Sequence, residues 1–192
     1  MKLLEKEKVS KREYFNIIVA IIIASSIFSL KKNYSGFENF HIYFFVVSVA
    51  LLLRVFVSKL ISKKLNIFSY FDIWPIGMLL GILLAFFGFK FVAVGSFVLF
   101  PYAFGRWGMR RKESTISETG IVCFLSSLPN FLLAIIFISF SGIFRIFFEV
   151  NFWLFVSNLL PTPKTDGGKI MLWRKDIWGF FALISLILIF II

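Results

Sequence analysis

An all-α polytopic membrane protein is the fold class this sequence predicts, with about five transmembrane helices and a re-entrant, glycine-broken hairpin that has room for short β-strands. Three observations lead there. Of the 192 residues, 59% are hydrophobic and 16% charged, with a mean hydropathy of +0.92; soluble domains average about 45–50% and about 25%. Several apolar runs approach the ~18–20 residues needed to cross a bilayer. The basic residues gather at the ends of those runs, so the net charge of +11 reads as orientation and headgroup contact. The lipid bilayer is therefore the expected partner. Nucleic acid is not, because no basic patch with interleaved aromatics stands outside the apolar segments.

In chain order, residues 1–13 are mixed in charge and net basic, which predicts a cytoplasmic basic tail. Residues 14–192 read as a single transmembrane domain, with the amino terminus cytoplasmic and the cell membrane as the expected location. The charged start, with no small-residue cleavage site after the first apolar run, does not match a cleavable signal peptide. The first span runs from Tyr14 to Leu30, ends at Lys31 and Lys32, and is followed by a turn-rich loop to Asn39. A second span runs from Phe40 to about Ile61 and carries Arg54, Ser58 and Lys59. Arg54 and Ser58 are one helical turn apart, so they share a face, which predicts that this face points into the bundle or toward cytoplasmic water. Snorkelling to the headgroups is the competing expectation, above all for Lys59.

Residues 68–75 form an aromatic interfacial stretch ending in Trp74 and Pro75. The segment 76–104 is apolar but broken by Gly77, Gly81, Gly88, Lys90, Gly95 and Pro101, with Lys63 and Lys64 before it and Arg106, Arg110, Arg111 and Lys112 after it. Positive charge at both ends predicts a dip and return, with a helix to about Phe87 and an extended piece over 89–100. A polar loop spans 105–119, with a helix start offered by Ser114, Ser117 and Glu118. Two further spans follow, over 120–141 and from about Ile143 to Leu160; in the latter Arg145 and Glu149 are placed to pair. The last span is Ile177–Ile192. His41 reads as an interfacial residue and Cys123 as a small core hydrophobe.

The stretch from Asn158 to Lys169 interrupts this apolar pattern with Pro161, Pro163, Asp166, Gly167 and Gly168. Proline removes a backbone donor, so a regular helix should stop near Asn158–Pro161. A carboxylate beside a helix break at membrane depth marks a functional site. On local physics alone a solvated loop, with Asp and Gly as turn formers, is the preferred reading of this stretch.

Asn158, Pro161, Asp166 and Gly167, in the order Asn-x-x-Pro-x-x-x-x-Asp-Gly, resemble a signature of the site-2 protease family of intramembrane zinc metalloproteases. Trp74, Pro75 and Gly77, the broken hairpin after them, and Asn130 in its helix are similar in order to an archaeal-type branch of that family. The resemblance covers about residues 40–192 and implies that Asp166 sits where a third zinc ligand would. It also lays the HExxH positions on Arg54, Val55 and Ser58, with Lys59 as the matching lysine after them. A zinc site of that kind needs two imidazoles at i and i+4 and a glutamate base. None of the three is present, which leaves Asp166 as the one retained ligand position and no catalytic residue.

The expectation is a non-catalytic relative, a pseudoprotease without a cofactor. It would bind or scaffold a transmembrane helix or extended peptide of another membrane protein, with Arg54 paired to Asp166 in place of a metal. Two alternatives stand beside it. One is an active intramembrane zinc metalloprotease with misaligned or partner-supplied ligands. The other is a small transporter or channel subunit, which would need polar residues along a path across the bilayer.

Overall fold

The computed structural model describes residues 2–30, 39–100, 102–105, 108–111 and 114–191. Its elements, in order, are α1 (Lys2–Ser29), α2 (Phe40–Lys64), β1 (Phe68–Ile73), α3 (Pro75–Phe86), β2 (Gly95–Phe100), β3 (Tyr102–Gly105), β4 (Gly108–Arg111), α4 (Ile116–Phe137), α5 (Ile143–Asn158), α6 (Asp166–Trp173) and α7 (Lys175–Ile191). The protein is mostly helical, with β1 and β2 forming one antiparallel pair and β3 and β4 another.

Three helical stretches among the described residues are long and apolar enough to cross a membrane: Lys11–Ser29, Phe40–Lys64 and Ile116–Phe137. The expected five are not all of spanning length. α5 has 16 residues and carries Arg145 and Glu149, while α7 has 17 and opens on Lys175 and Asp176. At 1.5 Å per residue both fall short of a hydrocarbon core of about 30 Å. The chain before Tyr14, expected as a short amphipathic or frayed segment, is continuous with the first helix, since α1 extends back to Lys2.

Polarity is distributed as a bilayer requires. On α2, Phe45 and Phe56 are exposed, whereas Arg54, Ser58 and Ser62 are buried. On α4, Leu132 and Ile136 face outward while Ser126, Ser127 and Asn130 are buried. Apolar surface outside and polar groups within is the reverse of a water-soluble helix, and it fits a lipid surround in which polar side chains turn toward the bundle interior.

The central sheet corrects the hairpin expectation. The extended piece does form a strand, but its partner is β1, read from sequence only as an interfacial aromatic stretch. The register runs from Phe68↔Phe100 to Ile73↔Gly95, so α3 is held between two paired strands and the chain returns to where it left. Trp74 enters α3 in an extended conformation with Pro75 in its first turn, where the missing N–H is not needed. Gly88, at φ 84, ends the helix in the left-handed region, its N–H reaching the Ala85 carbonyl. The core gathers around this sheet: Phe71 and Phe97 meet edge to face, with ring centroids 5.6 Å apart, among Val46, Val47, Val92 and Val94.

Other boundaries shift for identifiable reasons. α4 starts on Thr115 rather than Ser114, because Thr115 and Glu118 form a reciprocal capping box with bonds of 3.1 and 3.0 Å. Part of the polar loop expected over 105–119 is strand, β3 pairing with β4. Most of the loop expected after Lys32 lies outside the described residues.

Candidate functional site

Arg54 comes from the inward face of α2, three residues after Leu51, where the buried Val47–Ala50–Leu51 surface gives way to polar groups. It is 1% exposed, which removes snorkelling from consideration for this side chain. Its Nη2 donates to Asp166 Oδ2, and its guanidinium carbon lies 5.5 Å from the centre of the Phe97 ring. Asp166 is equally buried, at 1%. A carboxylate and a guanidinium withdrawn together from solvent hold one another in the charged state, and each would be costly alone.

Asp166 is delivered by a helix that the sequence reading took for a loop. α5 stops at Asn158, as the prolines demand, but the chain turns at 159–165 and re-enters helix at Asp166. The turn is tight. A Cβ on Gly168 would lie 2.0 Å from the Thr162 carbonyl oxygen, and one on Gly167 would lie 2.0 Å from that of Leu159. Only glycine lets α6 press against the backbone that precedes it. Thr165, in the N-cap position of α6, uses its hydroxyl on the Leu160 and Thr162 carbonyls.

The carboxylate and α6 together grip β2. Asp166 Oδ1 accepts from the Phe97 N–H at 3.2 Å, and Lys169, one turn later, donates to the Phe97 carbonyl and to Ser96 Oγ, both at 2.6 Å. Cys123 on α4 places its thiol 3.8 Å from the same carbonyl. On the far strand, Glu13 Oε1 accepts from the Phe71 N–H at 2.9 Å, and Asn16 Nδ2 donates to the Phe71 carbonyl at 3.3 Å and to Asp72 Oδ1 at 3.2 Å. Lys59 Nζ joins this side by donating to Glu13 Oε2 at 2.8 Å and to the Ser69 carbonyl.

The other residues singled out from sequence are only partly brought together. Ser58 is buried one turn below Arg54, but its hydroxyl meets Ser69 Oγ at 3.1 Å, not Asp166. Val55 packs against the apolar core. Asn158 is buried and donates to the Leu154 carbonyl within its own helix, and Asn130 is buried with neither amide atom hydrogen-bonded. Pro161 is exposed on the turn, and Gly167 is the close-packing point described above. The expected Arg145–Glu149 pair is replaced: Glu149 takes Lys90 Nζ on one oxygen and the Tyr43 hydroxyl, at 3.2 Å, on the other. Lys90 reaches it from the segment between α3 and β2, a contact no spacing along α5 reveals. His41 is exposed in the first turn of α2.

Zinc, the metal that the resemblance implies, does not fit these residues. Both oxygens of Asp166 are engaged, one by a guanidinium that would repel a dication. The positions on which the resemblance would lay two imidazoles hold Arg54 and Ser58, and among the described residues no group of three or more His, Cys, Asp and Glu side chains is placed to hold a metal ion.

Fold and site together define a helical membrane protein whose interior holds a buried ion pair against a two-stranded sheet. No protein-family model matches the chain, and no solved structure matches it. It is similar to a curated protein of Methanocaldococcus jannaschii, provisionally named as a zinc metalloprotease, with 27% identity over 190 residues that cover 91% of each chain. That similarity supports a distant metalloprotease family as the chain's relatives.

Proposed function

We propose that this chain is a catalytically silent relative of the site-2 intramembrane metalloproteases that binds or scaffolds membrane-embedded segments of other proteins. The observation that carries the reading is the Arg54–Asp166 pair. The resemblance assigns zinc ligation to both positions, and here a fixed positive side chain stands where the metal charge would be. The general base position is Val55, a side chain without a proton acceptor. A relative provisionally named as a zinc metalloprotease, aligned over nearly the full length, supports descent from such an enzyme. Five crossings, a single domain over 14–192 and a cytoplasmic amino terminus belong to the same reading. α5 and α7 then complete the span count as short helices, a mismatch the bilayer meets by local thinning.

The test is metal analysis of the purified chain, alongside a cleavage assay on transmembrane helices. The reading expects less than a tenth of an equivalent of zinc, on the order of contamination, and no cleavage. Stoichiometric zinc, or proteolysis that a chelator abolishes, would overturn it and restore the active metalloprotease.

A further inference from the structure

The edge of β2 is closed at one residue and open at the next that faces the same way. In an antiparallel ladder, alternate residues turn both main-chain groups away from the partner strand. Phe71 and Phe97 are such a pair, because Glu13 and Asn16 bond the first from one side and Asp166 and Lys169 bond the second from the other. Two residues along, Ser69 and Leu99 have the same orientation, and the outward Ser69 carbonyl does meet Lys59. The N–H and C=O of Leu99 therefore point away from β1, and among the described residues nothing bonds them. Leu99 lines a cleft of about 320 Å³ that Asp72, Ser114, Thr119, Lys164 and Lys169 also bound.

We propose that this cleft captures the carboxylate end of an extended peptide, an inference that rests on the binding role proposed above. A strand pairing with Leu99 cannot continue past Phe97, whose main-chain groups are taken by Asp166 and Lys169. Pairing must stop there, and a chain end meets that limit without a turn. The local charge selects which end. Arg54 and Lys169 are two cations against the single carboxylate of Asp166, and Lys164, exposed at the rim, adds a third. Asp72 opposes them, but its Oδ1 accepts from Asn16 and it belongs to the other strand. A terminal carboxylate beside Lys164 and the remaining donor of Lys169 balances this excess, with Thr119 and Ser114 hydroxyls in reach of the same space. The volume is at the small end for ligand sites, which suits a few terminal residues and not a folded domain.

The full chain in detergent micelles, titrated against an N-terminally labelled mixed-sequence pentapeptide pool, tests this by fluorescence polarisation. The pool with free carboxylates should bind about tenfold or more tightly than the same pool as carboxamides, the difference expected for a charge-assisted hydrogen bond. Lys164→Gln, at an exposed side chain, should shrink that preference several-fold without changing thermal stability. Equal binding of acids and amides, or binding of neither, overturns the proposal. So does a preference that Lys164→Gln leaves unaltered, or displacement of the peptide by micelles doped with phosphatidylglycerol, which would mark a headgroup site. Zinc is measured on the same sample: absent zinc with no carboxylate preference sinks this inference alone, while stoichiometric zinc sinks the pseudoprotease reading.

Discussion

Phe71 and Phe97 sit opposite each other in the central sheet, and each has its N–H taken by a carboxylate and its C=O by a nitrogen donor three residues further along one helix. Glu13 and Asn16 on α1 do this for Phe71, and Asp166 and Lys169 on α6 do it for Phe97. A two-stranded sheet is marginal alone, and its two free edges would otherwise leave buried main-chain groups unpaired. The helices thus act as side-chain substitutes for neighbouring strands.

Removing one clamp should loosen only its own edge. Glu13→Ala deprives the Phe71 N–H and Lys59 of their acceptor, and an orphaned buried donor costs about 1–3 kcal/mol. Hydrogen exchange should rise at the Phe71 amide and stay slow at Phe97. Equal acceleration at both amides would show that the sheet opens as a unit and that the clamps are not independent.

The Arg54–Asp166 pair should behave as a coupled unit. Arg54→Ala leaves a carboxylate buried without its cation, and breaking such a pair typically costs about 3–5 kcal/mol. The double change to Ala at both positions should recover part of that loss, giving a coupling of about 0.5–3 kcal/mol in a double-mutant cycle of denaturation midpoints. Strictly additive losses would mean that the two charges are stabilised separately. Asp166→Ala alone should also raise exchange at the Phe97 amide, since Asp166 is its acceptor.

How far the sequence revealed this site depends on the range of each signal. Arg54 and Ser58 can be read as one face because four residues make a helical turn, and polar groups sharing one face of an apolar run point to the interior or to water. The helix end at Asn158 is equally local, being set by prolines. What joins Arg54 to Asp166 spans 112 residues and leaves no local trace; the pair is expected through the motif resemblance alone, and the two side chains do meet. α6 was misread because its two leading glycines look like a loop, when they serve the close approach to Leu159 and Thr162. β1 was missed because its residues are as aromatic as an interfacial belt, and only the pairing with β2 separates the two. Glu13 and Asn16 fell in or near a stretch read as a tail, where an i, i+3 polar pair has no meaning until a strand lies beside it.

Gly168 and Gly179 should respond oppositely to alanine. At Gly168 the new Cβ would meet the Thr162 backbone, which cannot swing aside like a side chain, so a loss of about 1–3 kcal/mol is expected. Gly179, in α7, has nothing within 4 Å of that position, and Ala is the better helix former by about 1 kcal/mol. Thermal midpoints should therefore fall for Gly168→Ala and hold or rise for Gly179→Ala. A neutral Gly168→Ala would mean that the turn before α6 is looser than its close contacts require.

At the start of α7, the Arg174 guanidinium bonds the Asp176 carboxylate, from Nε to Oδ1 at 2.8 Å and from Nη2 to Oδ2, and lowers its pKa from 3.8 to about 2. The folded value lies below the unfolded one, so the pair favours the folded state above pH 4. That contribution should fade as pH drops from about 4 to about 2. Both groups are exposed, so the effect is small and salt-sensitive. Asp176→Asn should flatten the stability profile in that window alone; an unchanged profile would assign the acid sensitivity to other carboxylates.

Restoring the missing donors is the most direct test of what the site descends from. If Arg54 and Ser58 occupy the two imidazole positions, then Arg54→His, Val55→Glu and Ser58→His together rebuild a glutamate-assisted pair of histidines one turn apart on α2. Removing Arg54 also frees the Asp166 oxygen that its guanidinium now holds, so one change deletes the repulsive charge and releases a ligand. The triple variant should bind about one equivalent of zinc by elemental analysis, and Asp166→Ala added to it should lower that affinity by orders of magnitude, since a tetrahedral site needs its third protein ligand. Ser69, which loses the Ser58 contact, keeps Ser62 at 2.7 Å, so the strand edge should tolerate the exchange. Zinc binding that ignores Asp166 would place the metal elsewhere. No binding by a folded triple variant would mean that these positions are not the ones that correspond.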